Sequence, residues 1–123
     1  MHTILIVEDD PVSAEVLATY LEAHGYETET ARTGPEALQA FRRAPPDLML
    51  LDVQLPYRNG FEVAHEVRKM PGGRDLPVVL MSAVYTDHER GRRYARQGLA
   101  AEDFLVKPFE LETMLARVRE ILA

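Results

Sequence analysis

Short apolar runs alternate with helix-period segments five times along this chain, and that alternation constrains the fold more than any other feature. The runs are Ile4–Val7, Tyr26–Ala31, Leu48–Leu51, Val78–Met81 and Phe104–Val106. Four of the five are continuously apolar or nearly so, the pattern of a strand buried on both faces. Tyr26–Ala31 alternates with Glu and Thr instead, which places it at an edge. Strict β–α alternation implies an α/β fold: a parallel sheet with helices on both faces, joined by right-handed crossovers. A doubly wound (βα)5 sheet of this size commonly takes the strand order 2-1-3-4-5.

The helices announce themselves through caps. Asp10 is suited to cap the first, with Pro11 at its first helical position. Val12, Val16 and Tyr20 with Leu17 and Leu21 then read as one apolar stripe that Gly25 terminates. Thr33-Gly34-Pro35-Glu36 fits a capping box for the second helix, which Pro45-Pro46 stops. Asn59-Gly60-Phe61-Glu62 opens the third, and Pro71-Gly72-Gly73 closes it. Thr86-Asp87-His88-Glu89 is a further capping box for a fourth helix. Leu111, Leu115, Val118 and Leu122 share one face of a fifth that follows Pro108. At 123 residues the expectation is one domain spanning 1–123.

Bulk composition excludes several classes of function. With 20 acidic against 14 basic residues the net charge is -6, so direct nucleic-acid binding by this chain is not expected. The chain has no cysteine, which rules out disulfides, thiolate metal sites and cysteine catalysis. No stretch is apolar enough to span a bilayer. Met1-His2-Thr3 carries no basic leader, so neither a signal peptide nor a membrane association is expected, and the expected location is the cytoplasm.

Polar residues stand where the apolar runs stop. The first run ends in Glu8-Asp9-Asp10, the third in Asp52, the fourth in Ser82 and the fifth in Lys107-Pro108. In a parallel sheet those ends share one edge, and ligands bind there at the point where the strand order reverses. Glu8, Asp9 and Asp52 therefore converge from distant parts of the chain. Three carboxylates so close repel one another unless a cation intervenes. Hard oxygen ligands in this number suit Mg²⁺, which takes one or two carboxylates plus a phosphate and keeps several waters. Lys107 offers a positive charge to a phosphoryl oxygen, and Ser82 a hydroxyl donor to another. A carboxylate can be the nucleophile that forms an aspartyl-phosphate. Taken singly these residues are ordinary: Asp10 reads as a helix cap, and a lysine before proline as a loop lysine. Their joint placement at four strand ends is what points to phosphoryl chemistry.

These residues resemble the receiver domain of bacterial two-component response regulators, over the whole chain. The pieces that carry the resemblance are Ile4-Leu5-Ile6-Val7-Glu8-Asp9-Asp10, Leu51-Asp52-Val53-Gln54-Leu55-Pro56 with Gly60, Met81-Ser82-Ala83 and Phe104-Leu105-Val106-Lys107-Pro108-Phe109. The implied fold is flavodoxin-like. The resemblance implies that Asp52 is the phosphoacceptor and that Asp9, Asp52 and the backbone carbonyl of Gln54 bind Mg²⁺. Glu8 would help directly or through water. Lys107 would pair with the phosphoryl group, Ser82 would move to bond it, and Phe104 would turn inward as Ser82 moves. The implied phosphoryl donor is a sensor histidine kinase or phosphotransfer protein. The implied output surface is the fourth helix, fifth strand and fifth helix, presented to an unnamed protein or domain. A phosphorylation-dependent homodimer is a further implication.

The chain departs from the family pattern in three places. Asn59 stands where Asp is common before Gly60, and caps a helix equally well. The stretch from Ser82 to Lys107 is about three residues longer than usual, partly within Gly98–Asp103, on the output face. Val84 occupies a position often polar in the family, and the expected effect is slower hydrolysis of the phosphorylated state. Arg90, Arg92, Arg93 and Arg96 give the fourth helix a basic side, read as a solvated face or a docking surface for an acidic partner. Among rival readings, an aspartate-nucleophile phosphatase needs an acid close behind the nucleophile, where this chain has Gln54. A flavin or nucleotide domain needs a glycine loop after the first strand, where this chain is anionic. A phosphorylation-independent scaffold has no residue in its favour. The reading is thus of a signalling domain and not an enzyme.

Overall fold

A computed structural model of the chain describes residues 1–56, 59–82 and 103–123. Five strands, β1 (Thr3–Val7), β2 (Glu27–Ala31), β3 (Leu48–Asp52), β4 (Val78–Ser82) and β5 (Asp103–Val106), form one sheet. All neighbours are parallel, in the order β2-β1-β3-β4-β5. Among the described residues the helices are α1 (Pro11–Ala23), α2 (Gly34–Arg43), α3 (Gly60–Lys69) and α4 (Leu111–Leu122). The fourth helix expected from Thr86–Glu89, its arginines, Val84 and the extra residues after Gly98 fall outside the described residues, apart from Asp103 at the start of β5.

The continuous apolar strands work because successive side chains point to opposite faces. Leu5, Val7, Met49, Leu51, Val78 and Leu80 face one way and pack with Phe41 of α2 and Phe61 and Val67 of α3. Ile4, Ile6, Leu48, Leu50, Val79 and Met81 face the other, against Leu17 and Leu21 of α1 and Met114, Leu115 and Val118 of α4. β2, the polar run, lies at the sheet edge, where Glu29 pairs with Arg43 of α2.

Local signals bound α1, α2 and α3 as the residue types dictate. Asp10 accepts from the Val12 amide at 3.4 Å and the Ser13 hydroxyl at 2.7 Å. Thr33 Oγ1 accepts from the Glu36 amide at 3.2 Å, and Asn59 Oδ1 from the Glu62 amide at 2.9 Å. After α1, Gly25 adopts φ +93°, while its amide reaches the Glu22 carbonyl and that of Tyr26 reaches Leu21. This is the left-handed helix stop that glycine permits.

The expected apolar stripe of α1 is corrected by the structure. Ala14, Leu17 and Leu21 are buried, whereas Val12 and Val16 are 67% and 46% exposed. At about 100° per residue, Val12 lies on the face opposite Leu21, so it shares no core with it. On α4 the buried face is Met114, Leu115 and Val118, with Leu111 and Leu122 only partly covered.

Candidate phosphoryl-acceptor site

The register decides which side chains meet. Val7 pairs with Leu51, Asp52 with Met81 and Ser82 with Val106. The ladder runs one residue further: the Val53 amide bonds the Met81 carbonyl at 2.9 Å and the Lys107 amide the Ser82 carbonyl at 2.6 Å. Glu8, Asp52, Ser82 and Lys107 therefore emerge along one edge of the sheet. Glu8 is 2% exposed, Asp52 5% and Ser82 fully buried, while Asp9 faces solvent.

Glu8, Asp9 and Asp52 each present a carboxylate oxygen, and these oxygens lie within 4.8 Å of one another. Lys107 Nζ donates to Glu8 Oε1 at 2.7 Å and to Asp52 Oδ2 at 3.0 Å. The other Asp52 oxygen, Oδ1, accepts from the Gln54 amide at 2.9 Å. Each oxygen of Asp52 thus has a fixed donor, which orients its carboxylate. Gln54 itself is exposed. Phe104 is half-buried and packs against the α2–α3 side of the core.

The electrostatics follow from this crowding. Burial pushes the Glu8 carboxyl above the ordinary range, and its contact with Asp52 adds to the rise, while Lys107 opposes it. Burial works to lower the Lys107 ammonium, but its bonds to Glu8 and Asp52 outweigh that and raise it. Asp10 is lowered by its bond from Ser13, in keeping with a cap and not a buried ligand. One ammonium among three carboxylates leaves the cluster net anionic. The donor set consists of hard oxygens, and a divalent cation of the Mg²⁺ type fits it.

The structure brings together Glu8, Asp9, Asp52 and Lys107 as the strand ends imply, with Ser82 and Gln54 on the adjoining segments. The sequence did not show that Glu8 is a partner of Lys107, because Glu8 reads there only as an accessory metal ligand. The one available signal is its length, since Glu reaches further than Asp from the end of β1. An open cleft of about 600 Å³ runs from Glu8 and Lys107 past Ser13 to Val12 and Val16, so the lysine side of the site opens to solvent.

Comparison with known proteins agrees with this geometry. The family model described as the response regulator receiver domain matches residues 4–119. Response regulator MprA of Mycobacterium leprae is 40% identical over 119 residues, which are 97% of this chain and 50% of that protein. The chain spans about half the length of the curated relatives it matches. Among solved structures, one of a putative response regulator from Chloroflexus aurantiacus has TM-score 0.87 at 38% identity, covering 98% of this chain and 97% of that one. The response regulator TrrA of Thermotoga maritima, solved in complex with Mg²⁺-BeF, has TM-score 0.85 at 35% identity, covering 98% and 99%. Among the described residues no helix is long and apolar enough to cross a membrane. The strand order, the acidic edge and the family match lead to one conclusion: this chain belongs to the response regulator receiver domain family.

Proposed function

We propose that Asp52 accepts a phosphoryl group in a Mg²⁺-dependent reaction and that the resulting aspartyl-phosphate is the signal. The observation that carries this is the arrangement at Asp52. It is a buried carboxylate at a strand end, with Lys107 Nζ 3.0 Å from one oxygen and two further carboxylates within 4.8 Å. Asp9, Asp52 and the Gln54 backbone carbonyl would hold the ion, with Glu8 contributing directly or through water. When bound, the ion neutralises charge on the carboxylates and on the incoming phosphoryl oxygens.

The chain's own residues do the rest. An Asp52 oxygen attacks phosphorus as the bond to the donor breaks, so the group moves without change in the number of bonds to phosphorus. The Gln54 amide holds the other oxygen and so aims the attack. Lys107, already bonded to Asp52, pairs with the added negative charge. Ser82 lies on the neighbouring strand, where its hydroxyl can donate to a phosphoryl oxygen. Phe104 then follows Ser82 inward and changes the face formed by β5 and α4. The phosphoryl group shifts this equilibrium only because it binds one arrangement better than the other.

In this reading the donor is a histidine kinase or phosphotransfer protein, the location is the cytoplasm, and the output is a further protein or domain. Matching relatives are about twice this length, and one is named a DNA-binding regulator, so an attached or separate DNA-binding partner fits. A phosphorylation-dependent homodimer is compatible with that output. The chain acts as a stoichiometric acceptor; a phosphatase would need an acid where Gln54 stands.

The test is intact-protein mass after incubation with acetyl phosphate and Mg²⁺, for this chain and for Asp52→Ala. One phosphoryl group on the unmutated chain alone is the expected result. No adduct on either, together with no beryllofluoride binding, overturns the proposal.

A further inference from the structure

Gly60 opens α3 and lies directly against the end of β3. A Cβ built on it would sit 2.4 Å from the Asp52 carbonyl oxygen, 2.8 Å from Val53 Cα and 3.0 Å from the Asp52 carbonyl carbon. All three are backbone atoms of a strand end that is buried on both faces, so they cannot swing aside. The Gly60 amide also donates to the Val53 carbonyl at 2.7 Å. The connection from β3 to α3 is therefore tied at one end to Asp52 and at the other to the residue after it: Gln54 amide to Asp52 Oδ1, and Gly60 amide to Val53 carbonyl. The missing side chain is what lets α3 come this close.

We infer that Gly60 is a positioning residue for the metal, setting where Asp52 and the Gln54 carbonyl stand relative to Asp9. The inference rests on the reading of this edge as a Mg²⁺ site. Adding a methyl group here forces α3 away from β3 by up to about 1 Å, the distance needed to restore ordinary contact. That movement pulls on the segment bearing Gln54 and on the Asp52 backbone. Residues that orient metal ligands from behind typically change metal affinity by about 10–100-fold when altered.

A second glycine supplies the control. A Cβ on Gly73 would sit 1.9 Å from the Val67 carbonyl oxygen, a worse clash than at Gly60. Gly73 lies beyond the far end of α3, before β4 begins, away from the carboxylates. Its replacement strains the fold without moving the site.

The experiment measures Mg²⁺ affinity by titration calorimetry, and the Gln54 amide shift by NMR without metal, in the full chain, Gly60→Ala and Gly73→Ala. Each is used below its unfolding transition. Expected are a displaced Gln54 amide signal and about 10–100-fold weaker Mg²⁺ binding in Gly60→Ala. Gly73→Ala should bind within about twofold of the unmutated chain. Equal affinity in Gly60→Ala, or equal weakening in both variants, overturns the inference. If Gly60→Ala does not fold, Asn59→Ala takes its place, since it removes the cap at Glu62 without adding a clash. It should weaken Mg²⁺ binding by about tenfold, the lower end of that range, and unchanged affinity would overturn the inference. No Mg²⁺ binding by the unmutated chain overturns the metal-site reading itself, and this inference with it.

Discussion

Replacing Glu8 by Gln should make the metal-free chain more stable at neutral pH, although it removes one of the two ion pairs at the site. At an effective dielectric constant of about 20, Glu8 and Lys107 at 2.7 Å attract by about 6 kcal/mol. Repulsion from Asp52 and Asp9, each within 4.8 Å, is at least about 3 kcal/mol apiece before screening. Asp9 is exposed and so its share is reduced by solvent and salt. The charge terms nearly cancel, and burial decides. Glu8 is 2% exposed, and taking a carboxylate out of water costs several kcal/mol that one ion pair does not fully return. Gln keeps the shape and an oxygen for Lys107, which also retains Asp52. The expected gain is about 1–2 kcal/mol, or roughly 3–8 °C in Tm for a domain of this size.

The pH dependence fixes the sign. The folded pKa of Glu8 is raised by burial, so the folded state holds that proton where the unfolded chain has lost it. The stability linked to it is fully present below the unfolded pKa of about 4.3 and is lost as pH rises through the folded value. The variant lacks this loss. Urea unfolding with chelator at about pH 7.5 and about pH 4 should therefore show a gap at the higher pH that closes at the lower. A variant less stable than the unmutated chain at the higher pH, or a gap of equal size at both, refutes the argument that burial outweighs Lys107.

Mg²⁺ should raise the unfolding midpoint, because it binds the folded carboxylates and not the open chain; at a hundredfold excess over Kd the gain is about 2.7 kcal/mol. A melting curve unmoved by Mg²⁺ would count against the site. Val12→Ser and Val16→Ser should each change stability by no more than about 0.5 kcal/mol, since both side chains face solvent. Leu17→Ala, one position from Val16, should cost about 2–5 kcal/mol, and a denaturant series on the three variants checks the contrast. Thr33→Ala removes the acceptor for the Glu36 amide and should cost about 1 kcal/mol, read from the same denaturant midpoint.

Much of the fold was legible because short-range physics dictates it. Ile4–Val7 and Leu48–Leu51 have no polar residue to turn towards water, so they had to be central strands, and β1 and β3 are. Glu27 and Glu29 could not be buried on two faces, and β2 is at the edge. Asp10, Thr33 and Asn59 cap helices through bonds made within three residues, which sequence spacing alone can specify. The meeting of Glu8, Asp9, Asp52 and Lys107 followed from parallel topology, since all are at strand ends.

What the tertiary structure decided is direction and distance. Val12 and Val16 look apolar enough for a core, yet the way α1 lies on the sheet is set by Ala14, Leu17 and Leu21, which turns the valines outward. Lys107 bonds Glu8 as well as Asp52 because the register of β1, β3 and β5 brings residues 99 and 55 positions apart within 3 Å of its ammonium. Gly60 reads in sequence as a helix start beside Asn59 and as one residue of the receiver pattern. Its contact with the Asp52 backbone depends on how closely α3 docks on β3, and that closeness is a property of packing, which no local pattern encodes.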